Sequence, residues 1–223
     1  MLVYPGGTSL DVERTGYSFS ENFFSDLGMV KTYSGKPKTG SLWLFGSALA
    51  LMGVVLILFF VCMRNFFKGS KQETYMFRVG AVSGTVAGIS CMGIAFTPWD
   101  LYLSAHLIFS YSLSWSFLFA IIFYSLAILK NDNFPNFYAA VFGFYIVLLL
   151  LFIGLLLWGP GTETREGLIV LAVGQKIIIY TGMICMCIQF LGALLYATRH
   201  AAKPRRYIND QVELDSGADR SCH

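Results

Sequence analysis

The chain has 223 residues, of which 56% are hydrophobic, 16% aromatic and only 13% charged, with a formal net charge of +3. Soluble globular domains carry about 25% charged residues, so an ordinary water-soluble enzyme is excluded, and so small and scattered a charge argues against a nucleic-acid partner. The composition places the chain in a lipid bilayer.

Residues 1–40 read as an outer N-terminal segment. The opening MLVYPGGTSL lacks the basic start and long apolar core of a cleavable signal peptide. Further on, GYSFSENFFSDLG predicts a short amphipathic helix over about 18–28. Ser18 and Glu21 have the spacing of a capping box, in which each side chain satisfies a free backbone donor of the first turn. Asn22, Ser25 and Asp26 fall on one face, while Phe19, Phe23, Phe24 and Leu27 cover most of the rest. Such a helix would lie flat on the membrane surface, its polar face turned to water or to a site.

Five long apolar stretches follow, predicting transmembrane helices over about 41–63, 77–99, 104–129, 135–158 and 168–198. Each is long enough to cross about 30 Å of hydrocarbon at about 1.5 Å per residue. Lipid admits only helices and closed barrels, and the alternating period of barrel strands is missing, so the fold class is an all-α polytopic bundle. Arg64, Lys68, Lys71 and Arg78, then Lys130, then Arg199, Lys203, Arg205 and Arg206 flank one set of ends. The positive-inside rule makes those ends cytoplasmic, with the protein in the cell membrane and its C-terminus inside. Residues 200–223 form a tail whose polar, acidic composition predicts disorder.

Within the helices, Gly80, Gly84 and Gly88 recur every fourth residue and offer a close-packing face to a helix partner or to a second copy of the chain. Cys62, Cys91, Cys185 and Cys187 sit inside helices as packing residues, and no disulfide framework is expected.

Three polar features need an explanation. One is the Asn22, Ser25 and Asp26 face. The second is TPWDLYLSAH, where Pro98 ends a helix and Asp100 and His106 bracket the turn into the next. They are either a cap and a polar end residue or an acid/base or ligand pair. The third is Lys176, which inside an apolar helix must either face a partner in the bundle or reach the headgroups. The orientation puts all three in the outer leaflet, so Asp26, Asp100, His106 and Lys176 are expected to meet at one outer pocket, a default site hypothesis inside a membrane. A three-histidine zinc site is excluded, because His106 is the one histidine of the predicted bundle. A divalent ion held by Asp26, Asp100 and His106 stays open. No P-loop, GxGxxG, GxSxG or HExxH motif occurs, and no cofactor is implied.

YPGGT at Tyr4 to Thr8, GYSFSENFFSDLG, and TPWDLYLSAHLIF at Thr97 to Phe109 together resemble the uncharacterised multi-pass family filed as domain of unknown function 998. That family distantly resembles Frag/DRAM-type membrane proteins, some associated with lipid handling. The resemblance implies six helices, the first ending near Tyr4, so that Met1 to Tyr4 looks like the end of a helix and a sixth helix would start in the cytoplasm. It implies no catalytic residue.

The leading expectation is therefore a membrane protein that binds a lipid headgroup or small amphiphile, with Arg165 and Lys176 supplying positive charge and Asn22, Ser25, Asp26, Asp100 and His106 shaping the pocket. The alternative is an intramembrane lipid hydrolase or transferase in which His106 is the general base and Asp100 or Asp26 orients it. A third is a small-molecule transporter in which Lys176 and Asp100 exchange partners.

Overall fold

The computed structural model describes residues 1–66, 70–131 and 134–219, with side chains at 1–63, 70–131 and 134–198. Arg64, Lys68 and the basic cluster after residue 198, which carry much of the expected orientation, fall outside the described side chains, as does the tail expected to be disordered.

Among the described residues, five helices are long and apolar enough to cross a membrane. They are α1 (Thr39–Phe66), α2 (Lys71–Phe96), α3 (Leu103–Leu129), α4 (Asn136–Trp158) and α5 (Arg165–Asp219), the last crossing over Arg165–Thr198. The bundle is all-helical, and its only β pairing among the described residues is two isolated bridges, Gly6 to Thr15 and Lys31 to Pro37. α2 begins earlier than its apolar run. The Ser70 hydroxyl caps it by accepting from the Glu73 N–H at 3.3 Å, and a helix continues through charged residues once it leaves hydrocarbon. It ends at Phe96 because Pro98 drives the residue before it out of the helical region.

The chain runs up and down, so residues 1–38, the α2–α3 turn and the α4–α5 turn all gather at one end of the bundle. α2 packs closely along both α1 and α3, α4 adds to α3, and α5 closes loosely back towards α1. The close side is built on glycine. A Cβ at Gly84 or Gly88 would strike Phe60 or Ile57 of α1, and one at Gly80 would strike Tyr124 of α3. The Gly80, Gly84 and Gly88 stripe is thus filled from within the chain. Tyr124 is fully buried, ringed edge-on by Phe60 and Phe77 at 5.0 and 5.1 Å, and donates its hydroxyl to the Phe60 carbonyl. That bond satisfies the phenol where lipid offers no partner.

The expected helix over 18–28 is present only as a 3-10 turn, Phe24–Gly28. The capping box does not form. The Ser18 N–H is taken by Asn22 Oδ1 at 2.9 Å, a local side-chain bond that competes with helix, and the Glu21 carboxylate turns to arginines instead. The segment is also not laid flat: Asn22 and Asp26 are buried and Phe19 is exposed, because residues 1–38 fold into a cap over the end of the bundle.

Candidate functional site

The cap is built from the YPGG turn outward. Gly6 and Gly7 adopt φ of +133° and +91°, a region that side chains resist, and this folds the chain back on itself. The turn aims the Gly7 carbonyl inward, where it accepts from the Tyr4 hydroxyl at 3.1 Å and from Asn22 Nδ2 at 2.9 Å. Asn22 is fully buried and is the hub. Its Nδ2 also donates to Asp26 Oδ2 at 2.9 Å, and its own carbonyl accepts from the Tyr17 hydroxyl at 3.2 Å. Asp26, 1% exposed, receives the Phe23 N–H at 3.0 Å and the Tyr33 hydroxyl at 3.3 Å. Its carbonyl takes the ammonium of buried Lys38, which lies 4.3 Å from the centre of the Tyr4 ring.

Lys176 rises from α5 into this cluster and is completely buried. It faces the bundle rather than snorkelling. Its ammonium donates to the Asn22 carbonyl and to the Ala172 carbonyl one turn back, and sits 5.5 Å and 5.3 Å from the ring centres of Tyr17 and Phe19. Among the described residues no carboxylate lies within ion-pair distance of it. One residue earlier, Gln175 Oε1 accepts from the Phe24 N–H at 2.7 Å, so two successive α5 side chains hold the cap.

The other expected site residues go elsewhere. Arg165 is largely exposed and pairs with buried Glu21, Nη2 to Oε1 at 2.8 Å, while Arg14 takes the second oxygen at 3.1 Å. Asp100 neither caps α3 nor meets His106. Its carboxylate reaches back to the cap and accepts the N–H groups of Val30 at 2.9 Å and Lys31 at 3.0 Å. His106 Nδ1 is 2.7 Å from the Thr97 carbonyl, satisfying the end of α2 that Pro98 leaves open. Ser25 is half-buried and takes no part in these bonds. Among the described residues no three His, Cys, Asp or Glu side chains gather to hold a metal, so Asp26, Asp100 and His106 do not form the divalent site left open by the sequence. The structure brings Asn22, Asp26 and Lys176 together, leaves Asp100 and Arg165 as separate fastenings of the same cap, and keeps His106 at the end of α2.

A family model described as Protein of unknown function (DUF998) matches residues 2–191. The chain belongs to that family. The match takes in the whole cap, α1 to α4 and α5 beyond Lys176, so the cluster and all its fastenings lie inside the family region. No curated protein and no solved structure matches, and the expected likeness to Frag/DRAM-type proteins finds no support.

In this family member the cap buries two lysine ammoniums, Lys38 and Lys176, beside the Asp26 carboxylate. Burial pushes the Asp26 carboxyl above its ordinary range, an effect opposed by the bonds from Asn22, Phe23 and Tyr33 and by the Lys38 charge. Burial also brings the Lys38 amine down to about 8, against the pull of Asp26 and Asp100. Between pH 8 and the ordinary lysine value of 10.5 the folded cap therefore binds fewer protons than the unfolded chain, and its stability rises with pH. The rise ends near pH ~10, where tyrosines of the unfolded chain ionise. In the fold, burial and then Asp26 hold Tyr4, Tyr17 and Tyr33 protonated, so their contribution falls as pH climbs further. Limited proteolysis of the cap, normalised to an unfolded peptide, should slow from pH ~7.5 to ~9.5 in the native chain and slow less in Lys38→Met, where one of the two buried ammoniums remains. A flat profile in the native chain would exclude a buried ammonium there.

Sequence reasoning missed Lys38, Tyr4, Tyr17, Tyr33 and Gln175. The one usable signal was the YPGG turn, whose paired glycines announce a strained fold-back that must bring something under it.

Proposed function

We propose that this membrane protein binds an anionic amphiphile, a lipid with a phosphate or other acidic headgroup, at the capped end of the bundle. The observation that supports it is Lys176: a buried ammonium with carbonyls and aromatic faces around it and, among the described residues, no carboxylate paired to it. An unpaired buried charge is costly, by several kcal/mol per ion, and an anion is the partner that offsets this most fully. Phe19, half-exposed over the ammonium, is the side chain that has to swing away to admit it. With the capped end outside, as the basic flanks predict, the headgroup comes from the outer leaflet.

Lipid extraction and native mass spectrometry of the detergent-purified protein test this. About one anionic lipid per chain is expected, reduced roughly tenfold in Lys176→Gln, as the loss of a charge-assisted bond would give. Equal lipid in both proteins, or a folded native chain with none, would leave the cap a purely structural lid. That second reading is favoured by the cluster's closed hydrogen bonding. The hydrolase or transferase alternative needs His106, Asp100 and Asp26 to act on one another, whereas each is engaged with a different part of the backbone.

A further inference from the structure

α1 and α5, the first and last helices of the bundle, meet through aromatic bridges at two levels. Near the cap, Phe24 spans them, its ring 6.4 Å from Phe45 of α1 and 5.6 Å from Tyr180 of α5. Towards the far end, Phe59 of α1 and Phe190 of α5 lie 4.6 Å apart, centre to centre. Between these levels the same faces are open.

On α5, Lys176, Tyr180, Met183, Cys187 and Phe190 follow one another at helical spacing and so form a single stripe. Its top is buried under the cap, yet Met183 is 48% exposed and Cys187 is also exposed. On α1, Phe45, Ala48, Met52, Val55 and Phe59 share the facing side, and there Ala48 and Val55 are exposed between the two bridging rings. Bridged by rings at two levels and bare between them, the facing sides leave a slot between the helices.

Its dimensions select an occupant. From Tyr180 to Phe190, at about 1.5 Å per residue, the slot is about 15 Å long, about half of a ~30 Å hydrocarbon core and hence one leaflet deep. It is lined by aliphatic and sulfur side chains, and at its upper end stands the unpaired ammonium of Lys176. Charge at one end and one leaflet's depth of apolar wall below it match a lipid, whereas a partner helix would need the full thickness of the membrane.

We propose that the slot between α1 and α5 holds the acyl chain of an anionic lipid that enters laterally and whose headgroup reaches Lys176 past Phe24 and Phe19. This rests on the headgroup reading above and adds the route and the tail site.

The test is photo-cross-linking in phosphatidylcholine nanodiscs doped with phosphatidic acid that carries a diazirine midway along one acyl chain, followed by peptide mapping. Label is expected to concentrate on the α1 and α5 peptides containing Met52, Val55 and Met183. In Val55→Trp, which fills the slot from an exposed position, it should fall about fivefold, the equivalent of roughly 1 kcal/mol of blocked contact. Val147→Trp, the same bulk on an exposed face of α4, should change nothing. Label spread evenly over all helix faces, indifference to Val55→Trp, or equal labelling by phosphatidylcholine carrying the same diazirine would overturn the slot. The two readings fail differently. If co-purified anionic lipid drops in Lys176→Gln while Val55→Trp is silent, the headgroup site stands and the slot falls. If Lys176→Gln alters neither lipid content nor label, the headgroup site falls and takes the charged anchor of the slot with it.

Discussion

Gly88→Ala is expected to lower the stability of the bundle by about 1–3 kcal/mol, the usual cost of forcing an extra group into a packed interior. Gly88 meets Gly53 of α1 backbone against backbone: a Cβ on Gly88 would stand 2.6 Å from the Gly53 carbonyl oxygen, and one on Gly53 would stand 2.6 Å from that of Gly88. A side chain can rotate away from such a clash, but a carbonyl within a helix cannot. α1 must therefore shift as a body, carrying Phe60 off Gly84 and its carbonyl off the Tyr124 hydroxyl. The control is Gly143→Ala in α4, where the new methyl meets nothing within 4 Å and helix propensity alone gives a small gain. Thermal unfolding in detergent should separate the two clearly. Equal midpoints would mean that α1 and α2 do not approach this closely.

Asn22→Ala is expected to release the cap while leaving the five helices packed. The carboxamide donates to the Gly7 carbonyl and to Asp26 and accepts from the Ser18 N–H, all at 2.9 Å and all buried. Each group abandoned in the interior costs about 1–3 kcal/mol, so the local loss should reach roughly 3 kcal/mol or more. Amide exchange resolves where it falls: residues 4–38 should lose protection by two or more orders of magnitude, a conversion of that same ~3 kcal/mol, and the interior of α1 to α3 should keep theirs. Loss spread evenly over the bundle would show that cap and helices unfold as one unit.

The spans were legible because hydrocarbon imposes a length and forbids charge, and both leave a mark on any sequence that meets them. Their ends were less so. α2 runs through Lys71, Glu73 and Arg78, residues that a hydropathy count assigns to a loop. In the site, Asn22, Asp26 and Lys176 stood out as polar groups in apolar company, and they do meet. Asp100 was misjudged because an acid beside a helix start looks the same whether it caps that helix or reaches a backbone 70 residues away in sequence. His106 and Lys176 bond to main-chain carbonyls, of Thr97, Asn22 and Ala172, and an acceptor that every residue possesses has no sequence signature. Lys38, standing just before α1, reads as an ordinary interfacial charge until the chain before it folds over and buries it.

The pins between cap and α5 also set an order of events. Glu21, Asn22 and Phe24 find their partners Arg165, Lys176 and Gln175 across separations of 144, 154 and 151 residues. Contacts so distant in sequence form late, because a long stretch of chain must be ordered before they stabilise anything. The cap, made before all five of these helices, is thus the last to be fastened. Until α5 is in place, the Glu21 carboxylate has only Arg14 and the Asn22 carbonyl only Tyr17, so an assembly that stalls after α4 would be recognisable by residues 1–38 still open to proteases above α1 to α4.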